Sequence, residues 1–253
     1  MSRHLMNIAR LSNYRRYIHD GYRLFNKSHC RKFHQDIVNK RSSSPSISLC
    51  LMKSDHRDEA SSVLNESFFS DEPLSNFLSL HVPNDLTEFT KMSFEKALQD
   101  KCSYVAIDNN QQKIIGVLIS LIENVNDNTN IIDSQIKSEK MRYILKLLET
   151  LHNQINLFQI FNTDRLLHVL MITVNQQYRG LNLTRQLINL SLEQAKILGI
   201  KGAFAEATGI YSTKAMLKMG FQKYDEVIYD KYDPKRLSGL GIHDRCALLA
   251  KSL

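Results

Sequence analysis

The 253-residue sequence has no tryptophan, only four prolines and nine glycines, and no apolar run long enough to cross a bilayer. Its longest largely apolar stretch is Ile114–Ile122, far below the roughly 20 residues that a membrane helix needs. The four cysteines form no CxxC pair, and the nine histidines form no HxxxH or HExxH motif. We therefore expect no transmembrane segment and no metal site, and reduced thiols in an intracellular protein.

The positive charge is confined to one end of the chain. The net charge is +7, with 33 Lys and Arg against 26 Asp and Glu. Residues 1–47 hold ten of those bases and only two of the acids, Asp20 and Asp36, so residues 48–253 carry a net charge of −1. Because residues 48–253 are nearly neutral, they offer no basic surface to which a nucleic-acid backbone could bind. We therefore expect no nucleic-acid partner.

Residues 1–45 read as a basic extension, rich in Arg, Ser and His and closed by the turn-like run Arg41–Pro45. Leu5, Ile8, Leu11 and Tyr14 recur three apart, as on a basic amphipathic helix. This composition is typical of a mitochondrial transit peptide, and a disordered tail or a misassigned start codon would also explain it. The expected location is cytoplasmic, with mitochondrial import through residues 1–45 as the alternative.

Residues 46–253 predict one domain in which strands and helices alternate. Alternating or apolar runs predict strands at 46–53, 103–108, 113–124, 166–173, 203–207, 222–229 and 245–251. Helical periodicity predicts helices after Ser54 and over 86–99, 140–158, 183–198 and 212–219, with Ser54 and Ser212 as possible N-caps. This order predicts an α/β (α+β) domain, a mixed sheet with helices on both faces.

The stretch Leu166–Thr184 combines a buried strand, a basic glycine turn at Arg179-Gly180 and a helix start. Unpaired N–H groups and the helix dipole favour anions at such a junction, and glycine allows a phosphate to approach closely. An ordinary strand-to-helix connection would have the same pattern.

Several motifs resemble those of the GNAT superfamily of N-acetyltransferases. Gln177-Tyr-Arg-Gly180-Leu-Asn182 is similar to the phosphate loop of that family, and Lys218-Met-Gly-Phe221 to the end of its next helix. Asp71-Glu72-Pro73-Leu74 after two aromatics, Cys102-Ser-Tyr and Tyr211-Ser212 resemble the invertebrate arylalkylamine (dopamine-type) N-acetyltransferases. The resemblance covers about residues 46–253.

The resemblance implies a mostly antiparallel GNAT sheet of about seven strands and acetyl transfer from acetyl-CoA, without a metal, to an arylalkylamine of the dopamine, tryptamine or octopamine class. It implies that backbone groups of Ile172, Thr173 and Val174 hold the pantetheine arm on a strand that bulges and splays. The pyrophosphate would lie on the segment after that strand. Its residues are Gln177, Tyr178, Arg179, Gly180, Leu181, Asn182, Leu183 and Thr184.

The amine must lose a proton before it attacks, because alkylammonium groups have a pKa of about 10. The resemblance implies that Glu72 is the base, directly or through water; a solvent-exposed turn acid is the alternative. Many family members protonate the thiolate with a tyrosine, where this chain has Met216. In dopamine-type members two serines have related roles, and Thr208 and Ser212 occupy those positions here.

Asn182 departs from the family, which prefers Gly or Ala there. Asparagine tolerates a left-handed backbone better than most residues, but its side chain would crowd the pyrophosphate. Three readings follow: an arylalkylamine N-acetyltransferase, an N-acyltransferase using longer acyl-CoA donors, and a catalytically weak or inactive protein that binds CoA or a partner.

Overall fold

The computed structural model describes residues 30–33, 45–81, 84–127 and 135–253. Its strands are β1 Cys30–Phe33, β2 Ile47–Leu51, β3 Tyr104–Asp108, β4 Lys113–Asn124, β5 Arg165–Val174, β6 Gly202–Ala207, β7 Gln222–Ile228 and β8 Arg245–Ser252. Its α-helices are α1 Arg57–Val63, α2 Phe69–Asp71, α3 Pro73–Phe77, α4 Thr87–Asp100, α5 Glu139–Thr150, α6 Leu157–Ile160, α7 Leu183–Ile197, α8 Ile210–Lys218, α9 Tyr229–Tyr232 and α10 Pro234–Leu237. A π-helical segment, Leu64–Phe68, joins α1 to α2.

All eight strands form one sheet in the order β1-β2-β3-β4-β5-β6-β8-β7. Every neighbouring pair is antiparallel except β5 and β6. The expected mixed, mostly antiparallel sheet is therefore confirmed, with seven strands inside 46–253. The eighth, β1, comes from the segment predicted to be an extension. Apart from β1 and Pro45, the residues of the transit-peptide prediction lie outside the described ranges.

Helices cover both faces of the sheet, as predicted. On one face α1, α4 and α5 pack through residues such as Ala60, Phe94 and Met141. On the other face α7 and α8 pack through Leu187, Leu192 and Met216. The apolar periodicity of each helix thus matches the face that it covers.

The sheet opens between β5 and β6. These strands pair in parallel only at Leu167–Ala203 and His168–Phe204, although both continue further along the chain. The ladder between β4 and β5 also shifts register at Leu170, and such a bulge bends its strand. We call the gap beyond His168 and Phe204 the fork. The expectation that this strand bulges and splays is confirmed.

Two predicted helix boundaries were wrong. Ser54 is not an N-cap: it begins a 3₁₀ turn capped by Lys53, and α1 starts three residues later at Arg57. The helix predicted over 140–158 ends at Thr150, and a turn separates it from α6. Apolar spacing continued through the turn because Leu151 and Ile155 also pack into the core.

The thiols differ from the expectation in part. Cys50 is disulfide-bonded, and the residue opposite it in the β1–β2 ladder is Cys30. Cys102 and Cys246 are free and buried. Among the described residues, the helices are too short or too polar to span a bilayer.

Candidate active site at the fork

The end of β5 presents backbone groups to the fork. The N–H of Asn175 donates to the carbonyl of Ile115 on β4, at 2.8 Å. Because successive residues of a strand point their backbone groups to opposite sides, Thr173 faces β4, while Ile172 and Val174 face the fork. Among the described residues, the backbone groups of Ile172 and the N–H of Val174 are therefore open to a pantetheine arm, whereas the Val174 carbonyl accepts the Arg179 guanidinium.

The first N–H groups of the turn after β5 form hydrogen bonds within the turn itself. The N–H of Gln177 donates to Asn175 Oδ1 at 3.1 Å, and that of Tyr178 donates to the Asn175 carbonyl at 2.9 Å. The N–H of Arg179 donates to the Gln176 carbonyl at 3.3 Å. These three predicted pyrophosphate residues shape the loop, and their N–H groups are already engaged.

The next five predicted residues form the open part of the loop. None of the N–H groups of Gly180, Leu181, Asn182, Leu183 and Thr184 donates to another described residue outside α7, and the first N–H groups of a helix lack partners within it. Gly180 has φ +85°, with no atom within 4 Å of the place where a Cβ would stand. Asn182 is left-handed, with φ 59° and ψ 22°, and makes no side-chain cap. The open N–H groups, rather than the whole predicted segment, are therefore the part of the loop that is available to an anion.

Two side chains fix this loop to the core. Tyr178 is buried, and its hydroxyl donates to Asp108 Oδ2 at the end of β3, at 2.7 Å. That bond and burial raise the pKa of Tyr178, so the phenol stays neutral. Leu183 is buried against the sheet in the first turn of α7. Both residues therefore position the backbone of the loop, and their side chains are turned away from a ligand.

Arg179 connects the loop to the opposite wall of the fork. Its guanidinium donates to the Val174 carbonyl at 3.4 Å and forms an ion pair with Asp71. Both side chains are about half exposed, so the pair contributes little to stability. Its importance is geometric, because Asp71 directly precedes Glu72.

Glu72 lies beyond the helical segment that ends at Asp71, as predicted. Its backbone is extended, with φ −71° and ψ 123°, because Pro73 disfavours a helical conformation in the residue before it. Glu72 Oε1 accepts the N–H of Leu74 at 3.0 Å, and Oε2 accepts that of Ser75 at 2.6 Å. The carboxylate thus caps α3, and each oxygen keeps a second lone pair.

The Glu72 turn and the segment after β6 lie against each other. A Cβ at Gly209 would stand 2.9 Å from Pro73 Cγ and 2.6 Å from His243 Nδ1. That imidazole nitrogen is buried and makes no hydrogen bond within the described part of the chain. The fold therefore brings the predicted base beside the predicted hydroxyl segment.

The two predicted hydroxyl residues differ in their surroundings. Thr208 is half-buried, and its carbonyl accepts the hydroxyl of Tyr229, which is 1% exposed, at 2.8 Å. Ser212 is the third residue of α8 rather than its N-cap, and its hydroxyl donates to the carbonyl of the true N-cap, Gly209, at 2.9 Å. Sequence reasoning misplaced the cap because the helix starts two residues earlier than predicted.

Four residues that sequence reasoning did not select meet at the closed end of the fork. We call Glu123, His152, His168 and Glu206 the buried charged cluster. Glu206 Oε1 lies 2.8 Å from His152 Nε2, and Glu206 Oε2 lies 2.6 Å from His168 Nε2. His168 Nδ1 lies 3.5 Å from Glu123 Oε1, and the His168 ring stacks on Phe204.

The charges of the cluster are mutually dependent. Burial would lower the pKa of His168, but the charge of Glu206 and hydrogen bonds with Glu206 and Glu123 raise it to about 10. Burial would raise the pKa of Glu206, but the charge of His168 and the two imidazole hydrogen bonds hold it well below its usual range. Near neutral pH the pair is therefore an imidazolium and a carboxylate.

The sequence does contain a signal for this cluster. His168 and Glu206 are titratable residues in the interior of the largely apolar strands β5 and β6. A buried polar group requires a partner, so each implies another buried polar residue. Which residues these are depends on the register of the sheet and on the turn after α5, which spacing alone does not show.

No family model matches the chain. Among solved structures, arylalkylamine N-acetyltransferase 2 from Aedes aegypti is 27% identical, with a TM-score of 0.74 over 81% of this chain and 98% of that chain. A mosquito arylalkylamine N-acetyltransferase like 5b is 22% identical, with a TM-score of 0.71 over 82% and 100%. Drosophila melanogaster polyamine N-acetyltransferase is 17% identical, with a TM-score of 0.70 over 82% and 100%.

These comparisons confirm the resemblance that the motifs predicted. The chain has the GNAT fold, and the solved structures that share it include arylalkylamine N-acetyltransferases and related enzymes. The two matches below 25% identity support the fold alone.

Proposed function

We propose that this protein is an amine N-acetyltransferase that moves an acetyl group from acetyl-CoA to the primary amine of an arylalkylamine. The observation that carries the proposal is the fork. It combines a strand edge with open backbone groups at Ile172 and an open N–H at Val174, open N–H groups from Gly180 to Thr184, and the Glu72 carboxylate on the facing wall.

The donor would lie along β5. Peptide-like groups of a pantetheine arm can pair with an exposed strand edge, as an added strand does. Its pyrophosphate would then reach Gly180–Thr184, where open N–H groups and the start of the 15-residue helix α7 favour an anion. The N–H groups that face the fork are also candidates to stabilise the oxyanion of the tetrahedral intermediate.

Glu72 would take the proton that the ammonium loses before attack. An ionised carboxylate is a proton acceptor, and the next residue, Pro73, packs against Gly209 in the segment that carries Thr208. The Thr208 or Ser212 hydroxyl would supply a proton to the leaving thiolate. Ser212 already donates to Gly209, so it must rotate to do so, whereas no such bond holds the Thr208 hydroxyl among the described residues.

The first test is calorimetry of the full chain with acetyl-CoA. We expect saturable binding that is weakened by Gly180→Val, because a branched side chain is strained at φ +85° and would occupy the anion site. Gly199→Val is the control: Gly199 also has a positive φ and open space, but lies at the far end of α7. Absence of acyl-CoA binding by the unmodified chain would refute the proposal.

The second test is turnover with tyramine, tryptamine, dopamine and polyamines, using donors of increasing acyl length. Preference for acetyl-CoA and arylalkylamines supports the proposal, whereas preference for long acyl chains selects the N-acyltransferase reading. Binding without turnover selects the inactive CoA-binding protein.

The substitution Glu72→Gln tests whether Glu72 is the base. We expect kcat/KM to fall by about 10²- to 10⁴-fold, the usual contribution of a general base, and the acidic limb of its pH profile to flatten. Glu66→Gln is the matched control, because Glu66 is an exposed acid of the preceding π-helical segment. An unchanged profile in Glu72→Gln would remove Glu72 from the mechanism.

A further inference from the structure

Acetyl transfer to an ammonium leaves one proton to be disposed of in every turnover. The nitrogen loses two protons on becoming an amide, and the thiolate sulfur takes up only one. The other must reach solvent. Glu72 can receive it, but the structure also holds titratable groups beside the fork that the proposed mechanism has not used.

The buried charged cluster lies near the Glu72 turn. Glu206 is the fifth residue of β6, three residues before Gly209, and Gly209 packs against Pro73 of that turn. Burial raises the pKa of the Cys246 thiol well above its usual value, and the charges of Glu206 and Glu72 raise it further. The cluster and the predicted base are therefore both close enough to act on one buried group.

His152 is the member of the cluster that reaches solvent. It lies in the turn after α5, with 33% of its side chain exposed, against 9% for Glu206 and 12% for His168. An ionised carboxylate can only accept hydrogen bonds, so the His152 nitrogen 2.8 Å from Glu206 must carry a hydrogen. In the neutral ring Nδ1 then has a free lone pair, and it makes no hydrogen bond within the described part of the chain.

We propose that His152, oriented by Glu206, accepts the proton that the substrate ammonium group loses in the fork and releases it to solvent. The inference rests on the proposed acetyltransferase function and assigns a role that is separate from that of Glu72.

The step balances without another reactant. The proton leaves the ammonium for Glu72, passes through water to Nδ1 of His152, and makes that ring an imidazolium. The imidazolium then gives a proton to bulk water through its exposed side. The nitrogen attacks the thioester carbon, the C–N bond forms and the C–S bond breaks. The second nitrogen proton goes to the sulfur.

The rest of the cluster keeps this pair in place. His168 stays protonated and forms an ion pair with the second carboxylate oxygen of Glu206. The carboxylate of Glu123, on β4, balances the positive charge of His168. Phe204 contacts both rings, edge-to-face with His152 at 5.5 Å and stacked with His168 at 4.4 Å. Glu206, His168 and Glu123 are therefore positioning residues, whereas His152 exchanges the proton.

The test is His152→Ala, assayed with acetyl-CoA and the best amine of the panel. We expect kcat to fall 10- to 100-fold with the KM for acetyl-CoA unchanged, and added imidazole to restore much of the lost rate. In His152→Gln an amide can still donate to Glu206 but cannot accept a proton, so it should be slow and resist imidazole rescue. His81→Ala is the control, because His81 is exposed and, among the described residues, no hydrogen bond or ion pair joins its side chain to Glu72 or to the cluster.

The outcomes separate the two proposals. If the unmodified protein acetylates amines and His152→Ala is equally fast, the proton-release role is wrong while the proposed function stands. A slow His152→Ala that imidazole does not rescue, with a lowered melting temperature or a raised KM for acetyl-CoA, shows a structural residue and also overturns it. If the unmodified protein acetylates no amine, both proposals fall.

Discussion

The two faces of β6 have opposite chemistry. Ala203, Ala205 and Ala207 point to the face covered by α7 and α8, and all are at most 5% exposed. Phe204 and Glu206 point to the other face, where Glu206 joins the buried charged cluster. One face of a six-residue strand is small and apolar, while the other holds a paired charge.

The difference indicates that the two faces of β6 have different roles at the fork. Small side chains let α8 pack closely on β6, on the face of the sheet that also carries α7, whose first turn would hold the donor phosphates. The charged face instead lies on the side of the Glu72 turn, where protons must move. A substitution that breaks the ion pair of the charged face should therefore cost more stability than a small polar substitution on the alanine face.

Replacement of Glu206 by alanine should have the largest effect on stability. It leaves protonated His168 buried beside Glu123 alone, and breaking a buried ion pair typically costs about 3–5 kcal/mol. Urea unfolding of Glu206→Ala measures the loss. Ala205→Ser, on the opposite face, should cost about 1–3 kcal/mol for an unpaired buried hydroxyl. Equal losses of unfolding free energy in the two variants would show that the two faces of β6 do not differ in this way.

The charged face should also make stability depend on pH. The folded pKa of His168 is raised from 6.5 to about 10, so its contribution is complete below pH 6.5 and is lost as the pH rises toward 10. The folded pKa of Glu206 is lowered, so its contribution is present above pH 4.5 and is lost in acid. We expect a plateau between these limits.

Unfolding midpoints measured from pH 4 to pH 10 test this window. His168→Gln should flatten the alkaline decline, whereas His81→Gln should leave it unchanged. An alkaline decline of equal slope in His168→Gln would assign the pH dependence to other groups.

Gly202→Ala probes the closed end of the charged face. A Cβ there would stand 2.6 Å from Phe161 Cδ2 and 2.9 Å from Leu166 Cδ2, contacts too short to keep without movement. Overpacking of this kind typically costs about 1–3 kcal/mol, which thermal unfolding would show as a lower Tm. Ala203 is the neighbouring residue on the alanine face, and Ala203→Gly should lower the stability by less than a large-to-small core substitution does. A Tm for Gly202→Ala equal to that of the unmodified protein would contradict the packing argument.

Asn182→Gly should give the smallest effect, and a favourable one. Asn182 holds φ 59°, a conformation that glycine adopts without strain, and its side chain makes no cap. We expect a gain in stability of about 1 kcal/mol or less, together with tighter binding of acetyl-CoA at the freed anion site. Weaker binding would show that the asparagine side chain contacts the donor.

The fold was largely predictable because its main elements follow strong local patterns. The bounds of β4 agree with the prediction, and the Glu72 turn follows from the restriction that Pro73 imposes. The N-caps at Ser54 and Ser212 were wrong, because neighbouring residues offered competing helix starts. The charged cluster was missed since its four members come from β4, the turn after α5, β5 and β6, which only the tertiary fold brings together.

The two-pair ladder between β5 and β6 also divides the chain into two halves that are each continuous in sequence. Residues 30–174 supply β1 to β5, and residues 202–252 supply β6 to β8. Few backbone hydrogen bonds join these half-sheets, so their cohesion depends mainly on side chains of the shared apolar core. A chain cut in the exposed turn at Gln176–Gln177 could thus reassemble from two fragments, with the donor cleft forming only on their association.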